Sequence, residues 1–259
     1  MNVSVYKKVG LNTFYQLMGR FVTALVGLLT TRLITSHFGL EGYGEYQTVI
    51  AFVTLFWVLT DFGFNAIAVR EMAASEDEAK DYYSALISLR VGLGALVMAL
   101  AWLILLFLPY SALVKNAIVI GAVTIFFQSL MGIGNAAFQL RLKYGFQLLS
   151  NTLGSLVSLG MFVYVIFSDQ GLIGLAVAFT SGSIVMGLVN LYLAKRLIRA
   201  RLLVNNKVRY LLKETLPFGL VLLLSLLTTK IDAILLSVLN LNTITNESAV
   251  GIYNLSYKL

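Results

Sequence analysis

Residues 83–108 read YSALISLRVGLGALVMALAWLILLFL, and one charged side chain, Arg90, interrupts them. A helix that crosses the hydrocarbon of a bilayer needs about 20 predominantly apolar residues, and this run supplies them. Runs of the same kind recur near 9–34, 45–69, 113–138, 146–167, 172–193 and 215–239, and an eighth opens near Ala249. The expected fold is an all-α, multi-pass transmembrane helix bundle with about seven or eight helices.

Composition agrees. Of 259 residues, 59% are apolar and 12% charged, with a mean hydropathy of +0.86. A soluble domain carries about 25% charged residues, so half of that charge is missing. With no cysteine, disulfides, thiolate metal sites, iron–sulfur clusters and cysteine nucleophiles are excluded. The first run is expected to stay in place rather than be cleaved as a leader. It is too long for a signal-peptide core, carries Arg20 mid-span and has no small-residue cleavage site beyond it.

The net charge of +7 does not point to nucleic acid, because it sits in short loops between apolar runs. One set of alternate loops holds thirteen basic residues, among them Lys7, Lys8, Arg70, Arg141, Lys143, Lys195, Arg199 and Lys213; the other set holds Lys115 and, at a helix end, Arg32. The positive-inside rule then puts the N-terminus in the cytoplasm. The segment 195–213 is the longest break between runs. It reads as a topology determinant and linker, with binding of anionic lipid headgroups as the functional alternative. No connecting loop is long enough to fold as a domain, so function is expected within the membrane.

Gly44-Glu45-Tyr46 and Gly251-Ile252-Tyr253 repeat a Gly-x-Tyr pattern 207 residues apart, each on the outer side at the start of an inward-running helix. Parallel repeats of six helices are a transporter architecture, with the site between the halves. The expected organisation is a six-helix lobe at 1–200. A cytoplasmic linker, helix 7 and the start of helix 8 follow at 201–259, as part of a longer protein.

Polar residues inside the membrane mark candidate sites. In the first run Asn12, Gln16, Gly19, Arg20, Thr23, Gly27, Thr30 and Thr31 recur at helical spacing as one stripe. Arg20 lies about 16 Å along the helix from its inner end. The second run has its own stripe: Gln47, Thr54, Trp57, Asp61 and Asn65. Two readings of Arg20 and Asp61 are open. They form a buried pair that fixes packing, or they present a cation to an anionic substrate with Asp61 as resting partner or ion site. Lys230 and Asp232 in the seventh run lie about 200° apart around a helix, so at least one is expected to face a neighbour or cavity. Pro217 fits a helix start. Arg90 lies about two turns inside its run and is expected to snorkel to the inner interface. His37, the single histidine, has no carboxylate cluster near it in sequence, and no metal site is expected.

Arg32-Leu33 followed by Phe38-Gly39-Leu40-Glu41-Gly42-Tyr43-Gly44-Glu45-Tyr46, then Asp61-Phe62-Gly63 and Arg70-Glu71, resemble the start of the Wzx-type polysaccharide transporter flippases. These belong to the multidrug/oligosaccharidyl-lipid/polysaccharide (MOP) exporter superfamily. Gly171-Leu172-Ile173-Gly174-Leu175-Ala176, Ile231-Asp232 and the stretch Val250-Gly251-Ile252-Tyr253-Asn254-Leu255-Ser256-Tyr257-Lys258-Leu259 are similar to that family too. The resemblance implies a MATE-like fold of twelve to fourteen helices in two lobes around a central cavity. It implies no enzyme activity and no resident cofactor, although H⁺ or Na⁺ can serve as coupling cation. The implied cargo is an oligosaccharide on polyprenyl pyrophosphate (an O-antigen, capsule or exopolysaccharide unit) moved across the cytoplasmic, or inner, membrane by alternating access. Membrane lipids and the glycan biosynthesis machinery are the implied partners. Arg20 and Lys230 match the family's basic cavity residues by helix and depth. Asn12, Gln16, Thr23, Gln47 and Asn65 can serve sugar hydroxyls, and Asp61 and Asp232 complete the candidate set. A cation-coupled multidrug exporter of the same fold is the alternative and would favour an acidic, aromatic cavity. An integral-membrane glycosyltransferase or polymerase would want a large outer loop with acid–base residues, which this sequence lacks.

Overall fold

The apolar runs become helices with very few residues between them. The computed structural model describes residues 3–238 and 246–258. Among the described residues there are eight helices and no strand: α1 (Val3–Val58), α2 (Phe64–Ala74), α3 (Ala79–Phe107), α4 (Ala112–Leu140), α5 (Tyr144–Phe167), α6 (Gly171–Lys195), α7 (Asn206–Val238) and α8 (Asn246–Lys258). Five of them are long and apolar enough to cross a membrane, and the first of these carries 50 apolar-rich residues, Val9–Val58. This is a multi-pass membrane protein.

The runs expected at 9–34 and 45–69 join without a loop. The chain turns at Gly39, whose φ of 70° and ψ of −169° lie in a region open essentially to glycine alone. The two arms of α1, 3–38 and 40–58, then lie side by side and line one cavity. The second span also differs from expectation, because it is broken. Helical bonding ends in three tight turns, Leu59 N to Phe56 O, Thr60 N to Trp57 O and Asp61 N to Val58 O. Phe62 and Gly63 take positive φ of 39° and 78°, and α2 restarts the helix. Pro217, expected at a helix start, is inside α7, because that helix begins at Asn206 rather than near 215.

The helices of a membrane bundle gain little from burying apolar side chains and approach through small residues and polar contacts instead. Here α5 and α6 cross where Gly154 meets the Gly182 carbonyl and Gly182 meets the Gly154 carbonyl; a Cβ at either would lie 2.6–2.8 Å from the opposing oxygen. Ser150 and Ser158 donate across the same interface to the Met186 and Ala178 carbonyls at 2.8 and 3.1 Å. Leu96, Leu100, Leu103 and Phe107 of α3 stay exposed, as lipid-facing residues should.

The buried apolar residues form two stacked clusters. One gathers Ile34, Val49, Phe52, Ile118, Phe162 and Leu175. The other gathers Phe64, Leu86, Leu130, Phe138, Leu193 and Leu211. The second cluster lies at the end that carries Lys143, Lys195 and Lys207, called the basic end below. There Lys207 donates to Glu78 Oε2 at 2.7 Å, and that bond, with a smaller contribution from Tyr82, raises its pKa above the ordinary lysine value. At the far end His37 Nε2 lies 3.3 Å from Asp169 Oδ1, joining the α1 turn to the α5–α6 turn. At the same end α8 rests on α1. A Cβ on Gly251 would lie 2.6 Å from the Leu40 carbonyl and 3.4 Å from Gly44 N, so the glycines of the two Gly-x-Tyr patterns pack against each other.

Candidate functional site

The polar stripe of the first arm of α1 turns towards α5. Asn12 Oδ1 accepts from the backbone N–H of Tyr144 at 3.2 Å, meeting one of the unpaired donors at the start of α5. Tyr15 packs on Gly145 and Gly19 on Leu148. Above these contacts the helices part into a groove of about 410 Å³, lined by Gln16, Arg20 and Thr23 on one side and Tyr144, Gln147 and Asn151 on the other. Arg20 is exposed in it and makes no hydrogen bond or ion pair among the described residues. Thr23 donates to the Gly19 carbonyl at 2.9 Å, which leaves its oxygen free to accept. Asn151 Oδ1 is buried without a donor, and such a group is costly until something donates to it.

Thr23 and Asn151 also line a second, larger cavity of about 490 Å³ between both arms of α1 and helices α4, α5 and α6. Its walls carry the hydroxyls of Thr30, Thr31, Ser155 and Ser183 and the amides of Gln47 and Gln128, with Trp57, Phe162 and Phe179 as flat apolar surfaces. The volume falls in the range of sites that enclose small ligands. No carboxylate lines either compartment among the described residues. One guanidinium at the basic end therefore opens into an uncharged, hydroxyl- and amide-rich chamber.

Asp61 and Asn65 lie elsewhere. Asp61 pairs with Arg90 rather than with Arg20, and Arg90 does not snorkel: it is 2% exposed. The reason is the break in the second span. Its turns leave the Thr60 carbonyl unpaired within the helix, and Arg90 Nη1 donates to it at 3.0 Å. Arg90 Nη2 donates to Asp61 Oδ1 and, at 2.7 Å, to Asn65 Oδ1. Asn65 in turn donates to the Gly132 carbonyl at 3.0 Å, and Ser129 donates to the Arg90 carbonyl at 2.6 Å. A Cβ at 132 would lie 2.6 Å from the guanidinium carbon, so a larger residue there would have to displace Arg90. This cluster sits at the seam between the two apolar clusters and holds the span break together.

The structure thus brings Gln16, Arg20, Thr23 and Gln47 to the two compartments, uses Asn12 as a cap, and commits Asp61 and Asn65 to Arg90. The side chains of Lys230 and Asp232 lie outside the described residues. Among the described residues no group of three or more His, Asp or Glu is placed to hold a metal. Sequence reasoning missed the opposite wall, Tyr144, Gln147, Asn151, Ser155 and Ser158. These recur at spacings of three and four, the rule that found the α1 stripe.

The same architecture occurs in solved transporters. A MOP superfamily transporter from Pyrococcus furiosus, described as having a binding pocket of reverse polarity, aligns with a TM-score of 0.67 at 21% identity over 89% of this chain and 55% of its own. An outward-facing MATE family multidrug resistance transporter gives 0.71 at 20% over 97% and 59%. The lipid II flippase MurJ, inward closed, gives 0.70 at 19% over 95% and 56%. The chain spans less than two thirds of the length of each. A search of curated proteins returned no match. The family profile described as polysaccharide biosynthesis protein matches residues 9–259. This chain belongs to the polysaccharide biosynthesis protein family, and its helices adopt the fold of the MOP superfamily transporters.

Proposed function

We propose that this chain is the N-terminal part of a flippase. Its substrate is an oligosaccharide carried on polyprenyl pyrophosphate, translocated across the cytoplasmic membrane by alternating access. The observation that carries the reading is the pairing of unpartnered Arg20 with a neutral polar chamber that shares Thr23 and Asn151 with its groove. A pyrophosphate leaving water needs positive charge in a low-dielectric site, and guanidinium donates two parallel bonds to it. Sugars need hydroxyl and amide partners and flat apolar faces, and the chamber has both. A cation-coupled drug exporter would instead place carboxylates in the cavity, and none lines it among the described residues. MurJ, which shares the fold, is named as a lipid II flippase.

The glycine contact between α1 and α8 supports a second six-helix repeat beginning after the linker, because equivalent elements of two-fold-related repeats meet at their axis. Lys230 and Asp232, whose side chains lie outside the described residues, are then the second lobe's candidate substrate-binding residues, and H⁺ or Na⁺ its candidate coupling ion.

The test is a strain deficient in glycan export. The full-length protein should restore surface glycan and leave susceptibility to cationic drugs unchanged. Drug resistance without glycan export would replace the flippase by the multidrug exporter.

The basic end faces the cytoplasm in this reading. A reporter active only outside the cytoplasm should be active when fused after Asp169 or Asn242 and silent after Lys143 or Asn205. The reverse pattern at either pair would invert the assignment.

A further inference from the structure

Beneath the segment that joins α6 to α7, helices α3, α4 and α6 leave an apolar cleft of about 280 Å³, lined by Tyr83, Ile87, Leu130, Ile133, Leu191 and Ala200 with Lys195 at its edge. The segment is a strap across the bundle. Ser88 Oγ of α3 donates to the Leu203 carbonyl at 2.8 Å and accepts from Leu203 N at 3.0 Å, and Asn205 donates to the Asp81 carbonyl at 3.0 Å. Ser88 is about two turns into α3, so the strap lies at the depth of the membrane interface. Its apolar side chains remain uncovered: Leu202, Leu203 and Val204 are 61%, 54% and 79% exposed. Water would penalise three such neighbours, and an acyl layer would not.

The chain from 190 to 206 has no acidic residue; Lys195 lines the cleft, and Arg199 and Arg201 flank its lining residue Ala200. On the facing end of α3, Glu78 is paired with Lys207 and Asp81 holds Asn205 through its backbone carbonyl. Arg196 is already committed to Tyr192, over whose ring it lies at 4.7 Å. Lys195, Arg199 and Arg201 are exposed and have no partner among the described residues. A hydrophobic cleft at interface depth, with Lys195 in its wall and Arg199 and Arg201 on either side of Ala200, suits an apolar chain attached to a phosphate.

We infer that this cleft is a binding site for an anionic glycerophospholipid of the adjoining leaflet, with one acyl chain under the strap and the phosphate on Lys195, Arg199 and Arg201. The site lies on the far side of α4 and α6 from the Arg20 groove and takes no part in the transport reading. It would hold the strap, and with it the start of α7, against α3.

Native mass spectrometry of the delipidated full-length protein, given equal phosphatidylglycerol and phosphatidylcholine of identical acyl chains, tests it. Phosphatidylglycerol should be retained at least about tenfold over phosphatidylcholine, since each basic side chain near the surface favours anionic lipid. The triple change Lys195→Gln, Arg199→Gln, Arg201→Gln should erase the preference. Those changes also alter the topology signal, so a second variant keeps every charge: Ala200→Trp, which fills the cleft, should lose the retained lipid. An excess of soluble glycerol phosphate should displace none. Equal retention of the two lipids, a preference that survives the triple change, or phosphatidylglycerol held as well by Ala200→Trp would each overturn the site. Because the readout is bound lipid, failure here leaves the flippase reading untouched.

Discussion

Arg20→Ala should abolish glycan export while leaving the protein inserted and folded. Arg20 is exposed in its groove and bonded to no described residue, so its removal breaks no hydrogen bond or ion pair among them and leaves no buried partner behind. A bond from a charged donor contributes about 1.5–3 kcal/mol, so losing the two bonds of the guanidinium fork should weaken binding of polyprenyl pyrophosphate by about a hundredfold or more. Arg20→Lys keeps the charge but not the fork and should retain part of the activity. Asp61 is engaged by Arg90, so adding Asp61→Ala to Arg20→Ala should rescue nothing. Titration of the purified protein with polyprenyl pyrophosphate separates binding from folding. If Arg20→Ala binds the lipid as tightly as the parent, the cationic end of the site is misplaced.

Most of the helices were legible because the bilayer imposes length and apolarity on them, and residues 83–108 or 172–193 have no other reading. The stripe on the first run was legible too, since Arg20 drew the eye to its polar neighbours. What stayed hidden was pairing between helices. Asp61 has two arginines at similar depth, and sequence alone ranks them by depth only. The choice of Arg90 follows from the break at 59–63, which exposes the Thr60 carbonyl on the side of α3, and from Gly132, which makes room for the guanidinium. Asp61-Phe62-Gly63 carried a signal for that break, a helix-poor acid and a glycine inside an apolar run. The α5 wall was overlooked for the opposite reason. Gln147, Asn151, Ser155 and Ser158 carry no charge, and neutral polar residues in a membrane helix stand out only when their period is counted.

Arg90→Ala should be strongly destabilising. It would leave the Thr60 carbonyl, Asp61 Oδ1 and Asn65 Oδ1 without their donor and open a void at the seam of the two apolar clusters. Single hydrogen bonds inside membrane proteins average only about 0.6 kcal/mol. Breaking a buried ion pair by removing one partner costs about 3–5 kcal/mol. That cost arises from the buried charge left uncompensated. Removing Asp61 strands a guanidinium that is 2% exposed, whereas removing Arg90 leaves a carboxylate that is 52% exposed and open to water. Asp61→Asn should therefore cost more than one neutral hydrogen bond, while Arg90→Ala acts through its three lost donor bonds and the void. Gly132→Ala keeps both charges and should cost less than either. Its Cβ would push on the guanidinium carbon from 2.6 Å, and the guanidinium is held on the far side by three acceptors. Thermal unfolding in detergent, followed by loss of the monodisperse peak, ranks the variants. Arg90→Ala and Asp61→Asn should each lower the transition by more than Gly132→Ala. Had Arg90 reached the interface instead, Asp61→Asn would leave the transition unchanged, and the second span would have to be held by something other than this arginine.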